Sequence, residues 1–149
     1  LVLSTLHTND TTSSYSRLLD MGIDPFLITS TVRAIIAQRL IRKICTSCRR
    51  ERVVNEFEQE KYGFDDGEKV FESNNDGCQN CAGNGFRGRC GIYELLIPTH
   101  SINEMINNRV SDQEIRMQAI NENMNTLNNE AKRLALNGTT SIDEIIRVL

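Results

Sequence analysis

The chain has 149 residues, a net charge of −3 and 39% hydrophobic side chains. That is enough for the core of one ordinary domain, or of a domain remnant with an appended module. Its apolar runs fall far short of the ~20 residues a membrane helix needs, and no signal-peptide pattern is present. The acidic balance, with a pI near 5.4, speaks against nucleic-acid binding over the whole surface. The expected location is cytoplasmic.

Leu1 to Leu6 is predicted to form a short buried strand, apolar at Leu1, Val2, Leu3 and Leu6. A strand cannot stand alone, because its backbone donors and acceptors need neighbours. Residues before Leu1 are therefore expected in the full protein, supplying the rest of a sheet. His7-Thr8-Asn9-Asp10 ends the run, and Asn9 or Asp10 is a natural helix N-cap. A helix is predicted over Thr11 to Met21, with Leu18 and Leu19 buried and Gly22 at its end. Asp24-Pro25 is the next start signal. Phe26, Ile28, Val32, Ile35, Ile36 and Leu40 then suggest one long amphipathic helix over Pro25 to Lys43.

Residues 44 to 90 change character, with Asn, Asp, Glu, Gly and Cys dominating. They read as a separate small module with a short strand or helix near Val53–Phe57 and a strand near Val70–Phe71. Gly91 to Ile97 returns to strand composition, ended by Pro98. The remainder is predicted helical. Ser111-Asp112-Gln113-Glu114 and Ser141-Ile142-Asp143-Glu144 are capping-box patterns. Thr126 to Leu136 forms a helix between them, stopped by Gly138.

Four of the five cysteines form two Cys-x-x-Cys pairs, Cys45/Cys48 and Cys78/Cys81, separated by 29 residues. Each pair can turn two thiolates toward one point, and two such knuckles complete a tetrahedral sulfur shell. The segment between them has few large apolar side chains, so its core needs a staple. Structural zinc contributes on the order of 10 kcal/mol in small peptides. A bound Zn²⁺ is the expectation. Unmetallated cysteines keeping the same turns, or redox dithiols, stay open as alternatives, although a thioredoxin-like βαβ context is missing. Cys90 stands apart and reads as structural. Gly83-Asn84-Gly85-Phe86-Arg87-Gly88 matches a dinucleotide-binding pattern, but it follows a cysteine knuckle instead of a strand, and no helix-forming run comes next. These glycines are expected to allow turns beside the metal.

Arg39, Arg42, Lys43, Arg49, Arg50 and Arg52 crowd around the first cysteine pair. Arg39, Arg42, Lys43, Arg49 and Arg50 could form a contact surface, or the group is a plain solvated face. His7 closes a strand, where ligands of open α/β sheets gather. A lone histidine is commonly structural, and the segment by itself leaves both readings open.

Leu1-Val2-Leu3-Ser4-Thr5-Leu6-His7-Thr8-Asn9-Asp10 resembles the His box of the type II secretion and type IV pilus assembly ATPases. The similarity continues through Arg17–Gly22, Ala37–Leu40, both cysteine pairs, Gly85–Arg89, Gly91–Leu96, Thr126-Leu127, Gly138–Thr140 and Ile142–Glu144. The resemblance implies an α/β fold: the C-terminal remnant of a RecA-like P-loop NTPase domain, with an inserted tetracysteine zinc module and a C-terminal helical subdomain. In this scheme 1–43 ends the ATPase core, 44–90 is the zinc module, and 91–149 is a returning strand plus helices. It further implies a homo-hexameric motor driven by Mg-ATP, peripheral at the inner membrane through platform and anchoring proteins, with no nucleic acid. His7 carries over as the His-box histidine near the γ-phosphate side of the nucleotide. Cys45, Cys48, Cys78 and Cys81 carry over as zinc ligands. No Gly-x-x-x-x-Gly-Lys-Ser/Thr run occurs, so the phosphate-cradling loop is not in these residues. A stand-alone zinc-ribbon-like module binding nucleic acid or protein is the competing reading.

Overall fold

Helices and strands alternate along the chain as α1 (Ser13–Asp20), α2 (Pro25–Thr31), β1 (Ile35–Ile44), β2 (Arg50–Val53), α3 (Glu56–Tyr62), β3 (Lys69–Glu72), β4 (Phe86–Leu96), α4 (His100–Asn107), α5 (Asp112–Asn121), α6 (Leu127–Leu136) and α7 (Ile142–Val148). The structure, a computed structural model, describes residues 1–149. The fold is mixed α/β. The strands form two two-stranded sheets, β1 with β4 and β2 with β3. The chain divides into two units, one of Leu1–Gln38 with Tyr93–Thr126, the other of Arg39–Ile92 with Leu127–Leu149.

In the first unit, residues 1 to 8 have no regular secondary structure, and Leu1, Val2 and Leu3 are exposed. This corrects the expected strand. The segment belongs to neither of the two sheets, and a strand needs a paired neighbour to persist. α1 begins later than expected, and the Asp10 carboxylate accepts the Ser13 N–H at 2.8 Å, as a capping side chain does. Its most buried large side chain is Tyr15, with Leu18 and Leu19 half-buried against the same core. That core joins Tyr15, Ile28, Leu96, Ile102, Ile106, Ile115, Ala119 and Met124.

The long helix expected over Pro25 to Lys43 is instead a short helix and a long strand. Asp24 caps α2 by accepting the Phe26 N–H at 2.8 Å, as the sequence suggests. The helix then runs into Thr29, Ser30, Thr31 and Val32. All three hydroxyls turn back, Thr29 to the Pro25 carbonyl and both Ser30 and Thr31 to the Leu27 carbonyl, and the β-branched residues disfavour further helix. From Ile35 on, burial alternates: Ala37 and Ile41 are inside, while Ile36 and Leu40 face out. The apolar residues of this stretch fit both periods, and the strand partner decides between them.

In the second unit, β2 and β3 pair antiparallel, with Arg50 opposite Glu72 and Arg52 opposite Val70. α6 and α7 pack against β3, whose Val70 is fully buried. α3 starts at a capping box that the sequence reading left undefined: Asn55 accepts the Glu58 N–H, and Glu58 accepts the Asn55 N–H, both at 2.9 Å. Ser141 caps α7, but the Glu144 carboxylate does not turn back to Ser141. It accepts the Arg42 N–H at 2.8 Å and pairs with the Arg42 and Arg147 guanidiniums at 2.7 and 2.6 Å.

Candidate functional site

The two cysteine knuckles meet. Cys45 and Cys48 close the loop between β1 and β2, while Cys78 and Cys81 bracket a single 3₁₀ turn over Gln79–Cys81. The loops are tied directly, since Cys45 N–H donates to the Gly85 carbonyl at 2.9 Å. Gly85 adopts φ +72°, and a Cβ there would collide with the Asn74 carbonyl. Only glycine brings this backbone so close to the knuckle. Its N–H donates to Cys81 Sγ at 3.3 Å, and the Cys78 N–H donates to the same sulfur at 3.1 Å.

The sulfur spacing tests whether a metal fits. A tetrahedral shell with metal–sulfur bonds near 2.3 Å has sulfur–sulfur edges of about 3.8 Å. Here Cys45–Cys78, Cys78–Cys81 and Cys48–Cys81 are 3.7, 3.8 and 3.9 Å apart, and all four sulfurs lie within 4.8 Å of one another. A disulfide would need about 2.05 Å, and all five cysteines are free. The thiols also titrate apart. Burial, with the neighbouring sulfurs, pushes Cys48 up to about 12. At Cys81 burial acts upward too, but the N–H groups of Cys78 and Gly85, together with the Cys78 and Cys48 thiols, outweigh it and bring the thiol to about 6. The Ser47 N–H leads the lowering at Cys45. Four thiolates so close repel strongly unless a cation lies among them. The donor set fits a soft divalent ion such as Zn²⁺.

Cys90 lies on β4 outside this cluster, half-buried, and burial raises its thiol. The glycine pattern at Gly83–Gly88 opens strand β4 and no helix, in line with its reading as turns. The basic cluster is partly internal. Arg42 lies over the Phe86 ring at 4.0 Å while pairing with Glu144. Arg49 lies over Phe71 at 4.1 Å and donates to the Gly138 carbonyl. Arg52 pairs with Glu58 at 2.5 Å. Lys43 and Arg50 remain exposed. Phe57, 58% exposed, meets Tyr62 edge-to-face.

His7 is exposed and lines an open cleft with Thr8, Asn9, Ser13, Ser16, Arg17 and Asp20. Two charged side chains not singled out from sequence stand behind this turn. The buried Glu94 carboxylate of β4 accepts the Thr11 N–H at 3.1 Å and the Thr11 hydroxyl at 2.6 Å. Arg116 of α5 reaches both its oxygens, at 3.3 and 3.1 Å, and lies 3.5 Å from the Asp10 carboxylate. Burial acts to raise Glu94, but the Thr11 and Arg116 bonds prevail and lower it. A sequence signal existed: Glu94 interrupts the inward-facing positions Ile92 and Leu96, where an apolar residue is the norm.

A mixed α/β chain with four sulfurs gathered at tetrahedral spacing defines a protein with a cysteine cluster that could hold a metal ion. The chain belongs to the type II/IV secretion system protein family, whose profile matches residues 1–147. It is 37% identical over 148 residues to type II secretion system protein E of Pseudomonas aeruginosa, covering 99% of this chain and 29% of that one. Type II secretion system protein E of Dickeya dadantii is 36% identical, with the same coverage. The type IV pilus assembly ATPase PilB of Myxococcus xanthus is 38% identical over 156 residues, covering 98% of this chain and 26% of that one. The chain thus spans under a third of the length of these curated relatives. No helix is long and apolar enough to cross a membrane.

Proposed function

We propose that this chain is the C-terminal part of a hexameric, cytoplasmic ATPase that powers type II secretion or type IV pilus assembly. The match over residues 1–147 to a family that includes both kinds of relative is its strongest support. The geometry adds that His7 stands on an open cleft whose hydroxyl, amide and guanidinium groups could meet a phosphate, alongside the Asp20 carboxylate. In this reading 1–43 ends a RecA-like core, 44–90 is the zinc module, and 91–149 returns as a strand and helices. His7 acts at the γ-phosphate side of Mg-ATP, whose phosphate loop and metal ligands come from other parts of the protein. Cys45, Cys48, Cys78 and Cys81 hold Zn²⁺, which supplies a structural cross-link and no hydrolytic chemistry. The inner-membrane platform and anchoring proteins are the partners.

The test is ATP turnover by the full-length protein with His7→Ala. A loss of roughly a hundredfold, with the fold kept, is the expected result for a group that acts on the reacting phosphate. Unchanged turnover would make His7 structural. The 149 residues alone are expected to hydrolyse no ATP, and turnover by them would overturn the division of labour.

The exposed Phe57, with Lys43 and Arg50 on the surface, favours the competing reading of a nucleic-acid-binding zinc ribbon. Base stacking on such a ring is worth about 1–3 kcal/mol. Yet Arg42, Arg49 and Arg52 are held by internal partners, which removes much of the charge a phosphate backbone needs. A salt-dependent mobility shift with DNA would favour the ribbon; no binding at low salt removes it.

A further inference from the structure

We propose that Glu94, backed by Arg116, positions His7 for nucleotide turnover; this rests on the reading of His7 as a group acting at the nucleotide. Glu94 occupies an inward position of β4 between two fully buried apolar residues, and its own side chain has 0% exposure. An ionised carboxylate there is costly unless every lone pair is met, and packing alone is served better by an apolar residue. The partners show where the charge is directed. Thr11 presents both its N–H and its hydroxyl to Glu94 Oε1. Arg116 grips both oxygens of Glu94 and extends to Asp10. Thr11 and Asp10 follow His7-Thr8-Asn9 directly.

The grip is carried toward His7 by bonds within the turn. Asp10 accepts the Ser13 N–H at 2.8 Å and the Thr12 hydroxyl at 3.2 Å, and its carbonyl accepts the Ser13 hydroxyl at 3.1 Å. Thr8 and Ser14 share a hydroxyl–hydroxyl bond of 2.9 Å. Residues 8 to 14 are thus cross-linked around the point that Glu94 holds. His7 itself is exposed, so its direction depends on this turn more than on packing of its own ring. Glu94 and Arg116 do not line the cleft. They act through the turn, as positioning residues. A displacement of about 1 Å in a reacting group can lower the rate by about a hundredfold.

The test is a double-mutant cycle in the full-length protein, read by steady-state ATP turnover. Glu94→Gln keeps the side chain's shape but removes the charge that holds Arg116. It is expected to lower kcat roughly tenfold, with KM changed less than about twofold. On the His7→Ala background the same substitution is expected to cost less than about twofold, because the group it positions is gone. Equal losses in both backgrounds, a rise in KM with kcat kept, or no loss while His7→Ala is slow would each overturn the positioning role. If His7→Ala itself leaves turnover unchanged, the His7 reading fails first and this inference goes with it. Thr11→Val, which removes one hydroxyl without leaving a buried charge alone, carries the same cycle where Glu94→Gln does not yield folded protein.

Discussion

The two units hold an irregular segment in place by different chemistry. In one, four sulfurs drawn from residues 45 to 81 gather within 4.8 Å and tie loops that have little regular structure. In the other, the His7 turn is held from behind by a buried carboxylate and a guanidinium, Glu94 and Arg116. A metal knot is nearly all-or-none, because removing one ligand loosens the whole shell. A hydrogen-bonded ion pair is graded, since each bond can be weakened separately. The first arrangement suits a rigid module. On the proposed reading of His7, the second suits a loop whose reactive side chain must be aimed yet stay exposed.

The largest effect should come from breaking the sulfur cluster. Metal analysis is expected to return about one zinc per chain. Cys45→Ser should release it and open residues 45 to 90 to protease, a loss on the order of 10 kcal/mol by analogy with small zinc peptides. Amide protection over α4 and α5, in the other unit, should survive the substitution. A metal-free protein that resisted protease equally well would assign the cluster's stability to packing alone.

Next in size is Glu144, which the second unit uses much as the first uses Glu94. Its side chain is fully buried. Burial acts to raise its carboxyl, but the bonds from Arg147 and Arg42 overcome this and lower it from the ordinary 4.5 to about 2. A folded value below the unfolded one means the stabilisation is complete above about pH 4.5 and is lost as pH falls toward 2. Glu144→Gln should therefore cost about 3 kcal/mol at pH 7 and flatten the stability curve over that acid window. Arg42, 41% exposed, can return to water, which keeps the cost toward the low end. Parallel acid curves for the two proteins, followed by chemical denaturation, would remove Glu144 from the account.

What could be read from sequence follows from how local each signal is. The cysteine pairs announce themselves because each pair is a turn of four residues, and only their meeting point needs the fold. Asp24, Ser111 and Ser141 cap their helices as expected because a cap acts over three residues. The strand β1 was hidden because Ile35, Ile36, Leu40 and Ile41 satisfy a helical period as well as an alternating one, and only pairing with β4 chooses. The partners of Glu94 were hidden for the same reason. Thr11 and Arg116 are 83 and 22 residues away along the chain, and nothing in either local pattern points to the other. The basic cluster misled in the opposite sense, since Arg42 and Arg49 look like surface charge and are each stacked on an aromatic ring.

The smallest predicted effect separates motif from surroundings. Ser111 and Ser141 open the same Ser-x-x-Glu pattern, and each accepts the N–H three residues on at 3.3 Å. Ser111 is exposed, and its hydroxyl donates back to the Glu114 carboxylate at 2.7 Å. Ser141 is buried, and Glu144 turns away from it to Arg42 and Arg147. Ser111→Ala should cost about 1 kcal/mol, because water can meet the freed amide. Ser141→Ala should cost about 2 kcal/mol, because its freed amide is buried and no carboxylate returns to it. Chemical denaturation resolves a difference of that size. Equal losses would mean that the two caps are set by their four residues alone, and that burial in the second unit adds nothing to the shared motif.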